Sequence, residues 1–230
     1  LKKNFIFVSF FKNYQIKKKA ALVIVNIYNT HPRLVHVKDT HLFIKKFCKF
    51  MLDSYKGKII AVTGSVGKTT FKENIYHILK NNNISAYRSY KNFNNILGLQ
   101  FSIMNMNLKS KYSIFELGIN NPKEMLKLVN TLKPHYCLVT GIENSHIGNF
   151  RNFRHLVDNK LKIFKSKRLI SGLVNYNYEP HYINNKLNQK VDVINSENLK
   201  KFIISNKKIY KVNFIYNNRK YSVSYTHLRA

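Results

Sequence analysis

The chain has 230 residues, 44% hydrophobic and 13% aromatic, enough to bury a substantial core and too apolar for a disordered segment. It carries 40 Lys and Arg against 10 Asp and Glu, a formal charge of +30. Two cysteines, Cys48 and Cys137, exclude a disulfide framework, and the longest apolar run, residues 20–25, is far too short to span a bilayer. No charged-then-apolar leader with a small-residue cleavage site opens the chain, so a cytoplasmic, reducing setting without membrane insertion is expected.

In chain order, a basic stretch leads to strands expected near 21–25 and 34–37. A helix over about 40–52 carries Leu42, Phe43, Phe47 and Phe50 at helical spacing. Tyr55-Lys56-Gly57 reads as a turn and as a domain boundary. From Lys58 the pattern changes to alternating strands and helices. Residues 58–62 read as a strand, and Phe71, Ile75, Ile78 and Leu79 as the stripe of the helix after it. Residues 112–117 read as another strand. Asn121-Pro122 reads as an N-cap with proline in the first helical position, opening a helix to about Leu132. Strands over 136–140 and 169–174 flank a helix over 153–164. Beyond Glu179 a helix near 197–203 and strands near 209–215 are expected. Such alternation implies an α/β fold with a mostly parallel sheet flanked by helices.

The charge admits two readings. It suits an anionic partner such as nucleic acid. It also suits compositional drift, since Lys, Asn, Ile, Phe and Tyr are all abundant and the lysines are spread along the chain.

The chemistry concentrates in a few loops. Thr63-Gly64-Ser65-Val66-Gly67-Lys68-Thr69-Thr70 follows a strand and precedes a helix, the setting a phosphate loop requires. Its backbone amides and the helix N-terminus can hold phosphate oxygens. Lys68 can reach the β- and γ-phosphates of ATP, and the Thr69 hydroxyl can ligate Mg²⁺. Val62 stands where the general phosphate-loop pattern has its first glycine. Glu116 ends the strand over 112–116, and ligands of open α/β sheets sit at strand carboxyl ends, so Glu116 is a candidate Mg²⁺ ligand or else a surface carboxylate. Glu143 and His146 lie in the loop after the strand over 136–140, as site residues or as solvated ones. Lys160 falls in the middle of the apolar stripe Phe153, Leu156, Val157, Leu161 and Phe164. It either snorkels or is held in a site, where desolvation would free its amine for chemistry. Asn92, Asn94 and Asn95 precede a helix and are caps or site residues.

These motifs together resemble the Mur ligase family. The Gly-Ser-Val-Gly-Lys-Thr-Thr wording is closest to the branch that joins D-alanyl-D-alanine to UDP-N-acetylmuramoyl-tripeptide. Asn92-Phe93-Asn94-Asn95-Ile96-Leu97-Gly98 resembles that branch's Asn-rich loop on the substrate side, with Lys91 in place of its leading glycine. Glu116-Leu117-Gly118 resembles a Mg²⁺-binding strand end. Residues 140–146 resemble a segment whose histidine, here His146, lies near a second metal, with Gly141 and Glu143 replacing the family's Asn and Gly. Asn159-Lys160-Leu161-Lys162-Ile163 resembles a helix whose lysine is carbamylated and helps hold Mg²⁺, with Lys162 where Glu is common. The resemblance implies an ATP- and Mg²⁺-dependent amide ligase of peptidoglycan precursor synthesis, a cytoplasmic monomer that works through an acyl phosphate. It implies Lys68, His146 and Lys160 as catalytic, residues 64–70 as nucleotide-binding, and Thr69, Glu116, His146 and Lys160 as metal-holding. It also implies that 1–56 end an N-terminal UDP-substrate domain and that 57–221 form the central ATP-binding domain, incomplete here. The chain opens on Leu and closes on a 222–230 stretch expected to be a non-native tail, with no C-terminal ligase domain in view, so inactivity on its own is expected. A sibling ligase adding a single amino acid, and a basic nucleic-acid-binding ATPase, remain alternatives.

Overall fold

The computed structural model describes residues 5–8, 20–25, 34–90, 93–143, 147–175, 182, 186–187, 189–194, 210–216 and 219–225. The expected helix near 197–203 lies outside them.

Three short strands, β1 (Phe5–Val8), β2 (Ala20–Val25) and β3 (Leu34–His36), form a parallel sheet in that order. Helix α1 (Thr40–Ser54) follows, with Asp39 as its N-cap accepting from the amides of His41 and Leu42. Its buried face is Ile44, Cys48, Met51 and Leu52, not the aromatic stripe the spacing suggests: Leu42 and Phe50 are exposed. Phe43 and Phe47 stack at the margin of that core with ring centroids 5.8 Å apart. Two apolar faces compete on this helix, and the one that meets α3 (Ile96–Met104) is buried. The Cys48 thiol donates to the Gln100 carbonyl across that contact, and burial pushes the thiol up to about 12.

The main body is a six-stranded, all-parallel sheet. Its strands are β4 (Lys58–Thr63), β5 (Ala86–Arg88), β6 (Tyr112–Glu116), β7 (Tyr136–Val139), β8 (Ser171–Asn175) and β9 (Val191–Ile194), in the order β5-β6-β4-β7-β8-β9. Helices α2 (Lys68–Asn81), α3, α4 (Glu124–Leu132) and α5 (Phe153–Leu161) make the crossovers. A 3₁₀ turn, Lys162–Lys165, ends α5 early. The fully buried strand residues Ala61, Val62, Ile114, Phe115 and Val139 explain why β4, β6 and β7 read as continuous apolar runs, since both faces of a parallel sheet are covered. A hairpin of β10 (Tyr210–Tyr216) and β11 (Arg219–Tyr225) stands apart as an antiparallel pair.

Two helices differ from their sequence reading. Helix α4 begins at Glu124, with Lys123 in a left-handed cap conformation, φ 72°. Asn121 is not the N-cap; the Glu124 carboxylate instead accepts from the amides of Asn120 and Asn121. In α2, Phe71 and Ile78 are exposed and Ile75 and Leu79 half-buried, and the one fully buried side chain is Lys72. Among the described residues no helix is long and apolar enough to cross a membrane.

Candidate active site at the carboxyl edge of the sheet

The chain leaves β4 toward β5 on one side, and β7 joins β4 on the other. That reversal opens a crevice beyond the carboxyl ends of β4, β6 and β7. Of the expected site residues, Lys68, Thr69, Glu116, Asn94 and Lys160 lie there.

The loop after β4 is tied to the end of β7. The Ser65 amide donates to the Gly141 carbonyl at 2.6 Å, Val66 and Gly141 form an isolated bridge, and the Thr140 hydroxyl donates to the Val66 carbonyl at 2.5 Å. A Cβ on Gly64 would lie 2.1 Å from the Thr140 hydroxyl, so no side chain fits where the loop passes β7. Gly67 caps α2 with φ 78°, a left-handed conformation that glycine adopts at little cost. The loop thereby delivers its amides and the N-terminus of α2 to one point. Val66 and Thr70 are exposed beside it, and Ser65 spends its hydroxyl on the Glu143 carbonyl at 3.0 Å.

Two ammonium groups converge on the loop. Lys68 Nζ donates to the carbonyls of Gly64 and Ser65, both at 2.9 Å, and Lys160 Nζ reaches the same Gly64 oxygen at 3.1 Å. Lys160 is 5% exposed, so it does not snorkel. Burial first, and the neighbouring Lys68 charge second, push its amine down to about 8. Burial also lowers Lys68, partly offset by Glu116.

Glu116 is 1% exposed at the end of β6. The Thr69 hydroxyl donates to its Oε2 at 2.8 Å and Asn94 Nδ2 to its Oε1 at 3.0 Å, while Ser89 Oγ accepts from its amide. Lys72 Nζ stands 3.8 Å from Oε2. Carboxylate and hydroxyl oxygens side by side, next to a phosphate loop, fit a hard cation such as Mg²⁺. Among the described residues no three His, Cys, Asp or Glu side chains gather into a metal-binding group, so the oxygens of a bound nucleotide would complete the shell.

Of the Asn-rich loop, Asn94 meets Glu116, whereas Asn95 caps α3, its Oδ1 accepting from the Gly98 amide at 2.8 Å. Asn92 and His146 lie outside the described residues. Lys162 donates to Asn159 Oδ1 at 2.6 Å. Sequence reasoning missed Lys72. Its signal was available: it lies one helical turn after Thr69, on the face of α2 that meets β6.

A family model described as the Mur ligase middle domain matches residues 62–228. A UDP-N-acetylmuramoyl-tripeptide–D-alanyl-D-alanine ligase of Buchnera aphidicola subsp. Baizongia pistaciae is 33% identical over 79% of this chain and 40% of its own length. The ligase of the same description from Rickettsia prowazekii is 34% identical over 66% of this chain and 34% of its own. The crystal structure of MurF ligase from Thermotoga maritima in complex with ADP superposes with a TM-score of 0.72 at 19% identity, covering 97% of this chain and 56% of that one. The fold is therefore shared, and the chain spans less than half the length of these curated relatives.

Proposed function

The chain belongs to the Mur ligase family, and from that premise we propose that it supplies the nucleotide-binding part of an ATP-dependent ligase joining D-alanyl-D-alanine to UDP-N-acetylmuramoyl-tripeptide. The observation that carries the reading is the convergence of Lys68, Lys160 and the Thr69–Glu116 pair around one phosphate loop. Residues 1–56 would end the UDP-substrate domain and the central ATP-binding domain would start at 57. We place the protein in the cytoplasm as a monomer, acting in peptidoglycan precursor synthesis and not on nucleic acid.

In this reaction the tripeptide's terminal carboxylate oxygen attacks the γ-phosphorus of ATP, ADP leaves, and an acyl phosphate forms. The amine of D-alanyl-D-alanine then attacks the acyl carbon, and phosphate leaves as the amide forms. Bound Mg²⁺ would neutralise charge on the phosphates. Thr69 and Glu116 would hold it, with Lys160 and His146 as further candidates. The loop amides and Lys68 orient the phosphates and offset the charge of the transferring group. With its amine near 8, Lys160 is roughly one-tenth neutral at pH 7. A neutral amine can add CO₂, releasing a proton and leaving a carbamate whose oxygens suit a cation.

The test is ATP-dependent ligation by the full-length protein, with ADP release followed in the presence of each substrate. D-alanyl-D-alanine should be accepted and single amino acids refused. Acceptance of a single amino acid instead would move the protein to a sibling branch, and a folded protein that binds no nucleotide would overturn the reading.

A further inference from the structure

Helix α2 buries one side chain completely, and it is a lysine, while Phe71 and Ile78 on the same helix are exposed. An ammonium taken out of water needs carboxylate partners. Two carboxylates of the described residues stand near Lys72 Nζ: Glu116 Oε2 at 3.8 Å and Glu73 Oε1 at 3.5 Å. Glu73 is about one-third exposed and is held from its other side by Arg88 Nε at 2.9 Å. The Arg88 guanidinium lies 3.9 Å from the centre of the Tyr76 ring. Charges thus alternate from β5 through α2 to the end of β6: Arg88, Glu73, Lys72, Glu116.

The Glu116 carboxylate is therefore already served. One oxygen takes the Thr69 hydroxyl and faces the Lys72 charge, and the other takes Asn94. A divalent cation arriving alone meets a neutralised carboxylate with a fixed positive charge behind it. A cation arriving with a polyphosphate brings its own negative charge.

We propose that Lys72 is a positioning residue that makes cation binding at Glu116 conditional on the nucleotide. It cancels the charge of the lone carboxylate so that the bare site does not hold Mg²⁺, and the metal enters only as part of the metal–nucleotide complex. This rests on the nucleotide-binding reading above. It concerns the order of binding, which that reading leaves open.

The experiment is Mn²⁺ binding to the full-length protein, counted by electron paramagnetic resonance with and without ADP. The wild-type protein should bind Mn²⁺ tightly only with ADP. Lys72→Met, which keeps most of the length of the side chain and removes its charge, should tighten nucleotide-free Mn²⁺ binding on the order of tenfold. Lys72→Arg should restore the wild-type pattern. Glu73→Gln, at a position about one-third exposed, should act oppositely and weaken nucleotide-free binding further, because the Lys72 charge then bears on Glu116 without Glu73 to offset it; this variant decides the matter if Lys72→Met does not fold. Tight nucleotide-free binding by the wild type, no change or weakening in folded Lys72→Met, or tightening in Glu73→Gln would each overturn the inference. A wild-type protein that binds neither ADP nor Mn²⁺–ADP would overturn the ligase reading beneath it.

Discussion

The two edges of the central sheet are made by the same strands and are built differently. At the carboxyl edge, β4, β6 and β7 end in Thr63, Glu116 and Val139, and charged groups are buried there: Lys72, Glu116 and Lys160 are each 5% exposed or less. At the amino edge the contacts close upon themselves. His135 Nδ1 accepts from the Ile59 amide at 3.1 Å, and the Ser166 hydroxyl donates to the Pro134 carbonyl at 2.6 Å. At one edge the ammonium groups of Lys68 and Lys160 stand together beside the phosphate loop, and at the other these contacts join neutral groups of the protein to each other. Burial of charge is thus concentrated where a ligand would balance it.

Substitution should separate the edges by the kind of damage it does. The largest effect is expected from Lys68→Ala, which should leave the thermal melt nearly unchanged while lowering ligation by about a thousandfold or more, the scale of a removed charge on a transferring phosphoryl group. Normal turnover in a folded Lys68→Ala protein would erase the distinction. Next comes Lys160→Ala, expected to lower turnover by about a hundredfold, with partial recovery when a small carboxylate such as acetate is added in place of the proposed carbamate. Full activity without rescue would reduce Lys160 to packing. For the same side chain, reaction of the amine with an acylating reagent should rise with pH around 8, since only the deprotonated form is nucleophilic. Mapping the modified lysine by mass spectrometry reads this.

Gly64→Ala tests the loop itself. The new Cβ would meet the Thr140 hydroxyl and the Gly141 carbonyl, at 2.1 and 3.0 Å, so the loop must separate from β7. We expect a loss of about 1–3 kcal/mol in chemical denaturation together with loss of ADP binding, and a variant that binds ADP normally would show the loop to be independent of β7. The smallest effect belongs to the amino edge. Burial, then the charges of Lys58 and Arg168, hold His135 below its usual pKa of 6.5. Between the folded and unfolded values the unfolded chain binds more protons, so this contribution is complete above 6.5 and is lost as pH falls through the folded value. Comparing melts at high and low pH, His135→Gln should flatten the acid-side loss by only a few tenths of a kcal/mol once solvent screening is allowed for. An identical acid-side slope in wild type and variant would remove His135 as its cause.

Much of the carboxyl edge is legible in the residues because its requirements are local. A glycine-bearing loop between a strand and a helix, an acid at a strand end and a lysine inside an apolar stripe each show within a dozen positions. The sheet's β4, β6, β7 and β8 read correctly as short apolar runs. The edge strands β5 and β9 escaped, being only three and four residues long, too short for a pattern to mark them. The buried faces of α1 and α2 were misjudged for a different reason. Phe50 and Phe71 are the larger hydrophobes, yet Cys48 and Lys72 face the neighbouring elements. Which of two competing faces is buried depends on the partner element, and that is tertiary information. For Lys72 the local signal is its place one turn after Thr69; its pairing with Glu116, 44 positions later by the difference of their residue numbers, is not local.

The central place of β4 has a consequence for the order in which this protein can assemble. The strand is made before both of its neighbours: the contact between Ile59 and His135 spans 76 residues. During synthesis β4 must wait with an unpaired edge on each side, and pairings of such separation form slowly because the loop must close before any contact rewards it. The phosphate loop waits longest, since its bridge partner Gly141 follows β7. Nucleotide therefore cannot act as a scaffold for the early chain. Until Gly141 has emerged, the loop after β4 is without the partner that ties it to the sheet, and an apolar strand left so is open to pairing with other chains.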